Sequence, residues 1–139
     1  MLKARIVAFA CLAFLPATAQ TPRVALETEL GRIVIDVDTV NAPATARNFL
    51  RYVQNGHYDG GMFHRAVTLH NQPQNKIRIE VVQAGVNPAR EKDAFPPIAL
   101  EDTSKTGLKH MDGTISMARG GPDSATSDFF ICIGQQRSL

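Results

Sequence analysis

Arg65 follows Phe63 and His64, and its guanidinium is the side chain of this sequence best equipped for chemistry. Arginine stays protonated and presents a rigid planar fork of donors. Taken alone, such a residue is better read as a surface or salt-bridging group. Other candidates are weaker. His57, His64, His70 and His110 follow no metal-ligand spacing, so no metal is expected. Asp36 and Asp38 alternate onto one strand face and read as a solvated pair rather than as paired acids. Cys132 stands inside Phe129-Phe130-Ile131-Cys132-Ile133 and reads as a small buried hydrophobe. A reactive thiol needs partial exposure in electropositive surroundings.

These residues need elements to hold them. Val24, Leu26, Thr28 and Leu30 alternate with polar residues, and after Gly31 so do Ile33, Ile35 and Val37. Period two with a glycine between predicts a hairpin. Ala46, Phe49, Leu50 and Val53 form a helical stripe with Arg47, Arg51 and Gln54 opposite. Asn41 is the expected cap, Pro43 fits the first turn, and Asn55-Gly56 ends the helix. Thr68 to Asn75 reads as an exposed loop, and Ile77, Ile79 and Val81 as a strand running into Gln83-Ala84-Gly85. Val86 to Lys109 is read as surface. Gly113 to Ala118 and Asp128 to Ile133 are read as two more strands. Many short strands and one clear helix predict a mostly β domain, barrel or sandwich.

The chain has 139 residues, enough for one domain. Lys3 and Arg5, the apolar run Ile6 to Pro16 and the small residues Ala17-Thr18-Ala19 follow the pattern of a signal peptide. The apolar run is shorter than the roughly 20 residues that span a bilayer. The expectation is a leader over residues 1–19, a domain over 20–139, and a periplasmic or secreted product. Removing Lys3 and Arg5 takes the cations from 15 to 13, against 13 acids. A neutral domain argues against nucleic-acid binding, which needs a basic stripe. No basic amphipathic helix suggests a membrane surface once the leader is gone.

Three stretches resemble the cyclophilin family of peptidyl-prolyl cis-trans isomerases. Gly56-His57-Tyr58-Asp59-Gly60-Gly61-Met62-Phe63-His64-Arg65 is similar to its "G-x-Y-x-G-x-x-F-H-R" segment, and Val82-Gln83-Ala84-Gly85 to its "x-Q-G-G" segment. Gly113-Thr114-Ile115-Ser116-Met117-Ala118 and Ser127-Asp128-Phe129-Phe130-Ile131 resemble "G-x-x-S-M-A" and "S-Q-F-F-I". The resemblance implies a closed antiparallel β-barrel with capping helices and an external groove for proline-containing polypeptides, in a monomer with no cofactor. It implies that Arg65 is catalytic and that Gln83 holds substrate backbone. It makes Phe130 the floor of the proline pocket, with Met117 and Ala118 in the groove wall and Phe63 and His64 beside the arginine. Alone, Phe130 would be core and Gln83 a solvated strand end.

Such an enzyme needs no nucleophile. Resonance gives the prolyl amide a barrier of about 18–20 kcal/mol. A donor that bonds the nitrogen lone pair more strongly in the twisted amide than in the planar one lowers that barrier. The sequence also departs from the family. The segment between Arg65 and Gln83 is longer than in common members. Glu80 and Val81 stand where a phenylalanine and a methionine are usual, which leaves Val81 as the groove residue there, and Asp128 replaces a glutamine. Family members continue beyond the equivalent of Gly134 with further strands and usually a second helix. The expected domain is therefore incomplete at its C-terminus. The competing expectations are a non-catalytic proline-peptide-binding or chaperone-like module, and an inactive fragment.

Overall fold

The computed structural model describes residues 21–139; the leader expected over residues 1–19 lies outside them. The alternating segments at the start pair as predicted. β1 (Arg23–Thr28) and β2 (Gly31–Asp36) are antiparallel, from Arg23 opposite Asp36 to Thr28 opposite Gly31. Gly31 has φ +129°, a conformation that side chains rarely adopt, and this lets the hairpin close in two residues. Val24, Ile35 and Val37 are buried on one face.

Helix α1 (Pro43–Gln54) carries Pro43 in its first turn and ends at Asn55, with Gly56 at φ +64°. Its buried residues are Ala46, Asn48, Phe49 and Tyr52. The stripe is thus turned slightly from the predicted one, and Leu50 and Val53 lie only partly buried at its edge. Asn41 is not the cap. Its side chain donates to Asp38 Oδ2 at 2.7 Å, inside a turn where Asp38 Oδ1 also accepts from the Val40 and Asn41 amides. The Glu101 carboxylate caps the helix from the far side of the sequence, accepting from Ala44 N at 3.0 Å and Thr45 N at 2.7 Å.

Four further strands, β3 (Met62–Val67), β4 (Val81–Gly85), β5 (Ile115–Met117) and β6 (Phe129–Cys132), form an antiparallel sheet in the order β3-β4-β6-β5. A 3₁₀ turn over Pro88–Asp93 and a short helix α2 (Thr103–Thr106) interrupt the surface segment between β4 and β5. The strand expected from Ile77 starts only at Val81. Pairing with β3 ends at Val67 opposite Val81, so Ile77 and Ile79 lie past the end of their partner. The Thr68 to Asn75 loop is exposed except at Thr68, which is half-buried, and at Gln72. That side chain turns inward and donates to the carbonyls of Thr68 and Ile79 at 2.7 and 2.6 Å.

One core joins the hairpin, α1 and one face of the larger sheet. It contains Val24, Ile35, Val37, Ala46, Phe49, Ala84, Met117, Ala125 and Phe129. Phe49, Tyr58 and Phe129 meet with centroids 5.4–5.6 Å apart, the edge and tilted geometries that aromatic rings favour. A smaller cluster of Val67, Val81 and Cys132 lies on the other side of the sheet. Cys132 is fully buried and free, and burial pushes its thiol pKa up, with Asp112 adding to the shift. The result is mostly β with a capping helix. The closed barrel does not form among the described residues, because the β1-β2 hairpin and the four-stranded sheet share no strand pairing, although one core joins them.

Candidate active site

The site begins with an irregularity in β3. Met62 and Phe63 pair with Gly85 and Ala84, whereas Arg65, Ala66 and Val67 pair with Gln83, Val82 and Val81. His64 is the extra residue of a bulge. In an unbroken register His64 would face Gln83, and Arg65 would project from the other side of the sheet. A one-residue insertion exchanges faces, and here it places Arg65 opposite Gln83. The row continues across the sheet, with Gln83 opposite Phe130 and Phe130 opposite Ser116. Cross-strand partners share a face. Arg65, Gln83, Phe130 and Ser116 therefore form one line over four strands.

That line borders an open cavity of about 700 Å³, whose lining includes Arg65, Val81, Gln83, Met117, Ala118 and Phe130. Arg65 Nη1 donates to Gln83 Oε1 at 3.2 Å. Gln83 Nε2 donates to Asp128 Oδ2 at 3.1 Å, and the same oxygen lies 3.1 Å from His64 Nε2. The cavity thus pairs an apolar floor with a hydrogen-bonded line of polar groups ending in a cation. That combination suits a ligand with one apolar ring and a polar backbone. Among the described residues no group of three or more His, Cys, Asp or Glu side chains gathers as a metal would require.

The loop behind this line is held from two directions. Asn48 of α1 donates to the Thr126 carbonyl at 2.6 Å, and the Tyr58 hydroxyl donates to the Ser127 carbonyl at 2.6 Å. Burial keeps that phenol far above its usual pKa, with Tyr52 and Asp128 nearby adding to the shift. Ala118 N donates to the Asp128 carbonyl at 2.8 Å, which ties the loop to the strand bearing Met117. Gly85 matters for its missing side chain. A Cβ there would stand 2.6 Å from Asp128 Oδ1 and 3.3 Å from His64 Nε2.

Residues 23–139 match the family described as "Cyclophilin type peptidyl-prolyl cis-trans isomerase/CLD". The chain belongs to this family. Among its relatives, the chain is 38% identical over 110 residues to peptidyl-prolyl cis-trans isomerase cyp18 of Streptomyces antibioticus, covering 78% of this chain and 60% of that protein. It is 35% identical over 144 residues to peptidyl-prolyl cis-trans isomerase A of Dickeya dadantii, covering 100% and 70%. It is 33% identical over 117 residues to the peptidyl-prolyl cis-trans isomerase of Acinetobacter baylyi, covering 84% and 57%. The chain thus spans between 57% and 70% of the length of these relatives.

Measured against the cyclophilin-like expectation, the structure gathers Arg65, Val81, Gln83, Met117, Ala118 and Phe130 around one cavity and leaves Phe63 and His64 outside its lining. Phe63 packs edge-on toward Phe129, at 6.5 Å, on the core face. His64 bonds Asp128, at the border of the groove, and does not line the groove itself. Among the groove residues that escaped the sequence reading are His110 and Glu101. His110 stacks on Phe130 with centroids 5.8 Å apart and planes 24° from parallel. Burial lowers its pKa, with the Arg119 charge assisting against a bond to Leu139. Glu101 borders the cavity while capping α1. Neither belongs to a local motif, because each is brought in by chain that folds back from a distance.

Proposed function

We propose that this chain is a peptidyl-prolyl cis-trans isomerase acting on proline-containing polypeptides as a bacterial, exported monomer. The signal-peptide pattern supports export, and the neutral charge balance of residues 20–139 supports a protein partner over a nucleic acid. The observation that carries the activity is the row Arg65, Gln83, Phe130 and Ser116 across four strands, with Met117 and Ala118 in the same cavity.

Each residue takes a part set by its chemistry. Phe130, backed by the His110 ring, grips the proline ring. Gln83 bonds the adjoining substrate backbone. Val81 and Ala118 complete the apolar walls, and Met117, which borders the cavity, packs into the core behind them. Arg65 donates to the prolyl nitrogen as the amide twists and its lone pair returns, a contact stronger in the transition state than in either planar isomer. No bond breaks and no cofactor enters.

The test is prolyl exchange in a short Xaa-Pro peptide, followed by NMR exchange spectroscopy with the chain starting at Gln20. The uncatalysed reaction takes tens to hundreds of seconds. Exchange faster than that background is expected, and Arg65→Ala should lower the enhancement at least about a hundredfold. Equal rates for parent and variant overturn the assignment of Arg65. Binding of the peptide without acceleration would make the chain a proline-peptide-binding module.

A further inference from the structure

Asp128 borders the same cavity as the catalytic row and is hydrogen-bonded to it without pairing in its register. Its Oδ2 accepts from Gln83 Nε2, and Gln83 Oε1 accepts from Arg65 Nη1. An ionised carboxylate can only accept hydrogen bonds, and a guanidinium can only donate them. The amide between them therefore has one satisfactory orientation, with its NH2 toward Asp128 and its oxygen toward Arg65. If the amide were reversed, its NH2 would face the guanidinium and its oxygen the carboxylate, and neither contact would be bonded. The same logic puts a proton on His64 Nε2, which shares Oδ2 at 3.1 Å.

We propose that Asp128 is a positioning residue, which fixes the Gln83 amide and through it aims the Arg65 guanidinium at the groove. This rests on the isomerase reading for its effect on turnover, but not for its effect on geometry. Two further observations support it. The Asp128 backbone is held by Ala118 N, and the residues before it by Tyr58 and Asn48, so the carboxylate projects from a fixed point. Gly85 keeps the backbone bare where carboxylate and imidazole meet, since a Cβ would intrude to 2.6 Å of Asp128 Oδ1. The competing role for Asp128 is direct attraction of cationic substrates. The two roles differ in whether Gln83 is needed.

A double-mutant cycle separates them. Asp128→Ala is expected to lower kcat about tenfold and leave KM within about twofold, the pattern for loss of an interaction that acts on the transition state. In a Gln83→Ala background the same change should have an effect below about twofold. Equal losses on both backgrounds, or a loss confined to peptides with Lys or Arg beside the proline, would overturn the proposal. Asp128→Asn removes the charge with almost no change of shape. It should move kcat in the same direction, and it serves in place of the alanine variant should that fail to unfold cooperatively on heating.

A second readout does not depend on turnover. The NMR signals of the Gln83 side-chain amide and the Arg65 guanidinium should shift in Asp128→Asn, and guanidinium rotation should quicken. Unchanged signals overturn the proposal. A parent chain that fails to accelerate prolyl exchange overturns the isomerase reading instead, while shifted signals in Asp128→Asn would still uphold the positioning role.

Discussion

Phe129 and Phe130 are adjacent in sequence, and they face opposite sides of the same strand. Phe129 is 2% exposed, pairs with Ala84 and Met117, and meets the rings of Phe49 and Tyr58. Phe130 pairs with Gln83 and Ser116 and stands half-buried in the cavity against His110. Strand pleating alone separates them, since successive side chains point to opposite faces. The core face is held by apolar burial that extends to the hairpin and α1. The groove face carries only the smaller apolar cluster of Val67, Val81 and Cys132, with Phe130 against it, and beside that a chain of hydrogen bonds open to solvent. Core residues should therefore govern stability, and groove residues should govern turnover with little effect on folding.

The largest break in this contrast should come from Phe129→Ala. Removing a fully buried ring at the meeting point of three elements is expected to cost about 3–5 kcal/mol, read as a lower denaturant midpoint. Activity should then fall only in proportion to the unfolded fraction. Arg65→Ala is the opposite test. The side chain is exposed and makes one neutral-partner hydrogen bond, so stability should stay within about 0.5 kcal/mol while turnover collapses. A large stability loss in Arg65→Ala would mean that the groove row also holds up the fold.

Phe130→Ala should fall between these. It removes an apolar floor and the His110 stack, with an expected cost near 1–2 kcal/mol because the ring is only partly buried. Its larger effect should be a rise in KM, since the proline ring loses its contact in ground and transition states alike. If kcat fell and KM did not, Phe130 would be acting on the twisted amide rather than on proline binding.

Much of this contrast was legible before the structure. Alternation placed the hairpin, and the order of the three family-like stretches brought Arg65, Gln83 and Phe130 toward one groove. Several features were not legible, each for a physical reason. The alternation through Ile77 and Ile79 looks like a strand, but alternation carries no information about where the partner stops, and β3 stops at Val67. The bulge at His64 leaves no mark in composition, yet it decides which residue opposes Gln83. Asp128 was noticed as a substitution, but its bonds to Gln83 and His64 depend on a register of strands far apart in sequence. Asn41 has the type and position of a helix cap, but it is drawn off by Asp38, and the cap comes from Glu101, 57 residues beyond Ala44.

Glu101 supplies the finest test, because it borders the groove while its carboxylate serves the fold. Burial pushes its pKa up. The amide donors of Thr45 and Ala44, the Thr45 hydroxyl and Arg47 outweigh that and hold it below the ordinary carboxylate value. A folded pKa below the unfolded one means that the unfolded chain takes up the proton first. The stabilisation is then complete above the ordinary glutamate value of about 4.3 and is lost as pH falls through the lower folded value. Glu101→Gln keeps an acceptor for the helix N-terminus and loses the charge. It should cost about 0.5 kcal/mol at neutral pH, with the gap between variant and parent closing as the medium is acidified through that range. Melting curves at neutral and acid pH check the sign, and prolyl exchange at neutral pH should be unchanged. A lowered kcat with unaltered melting would assign Glu101 to the groove rather than to the helix it caps.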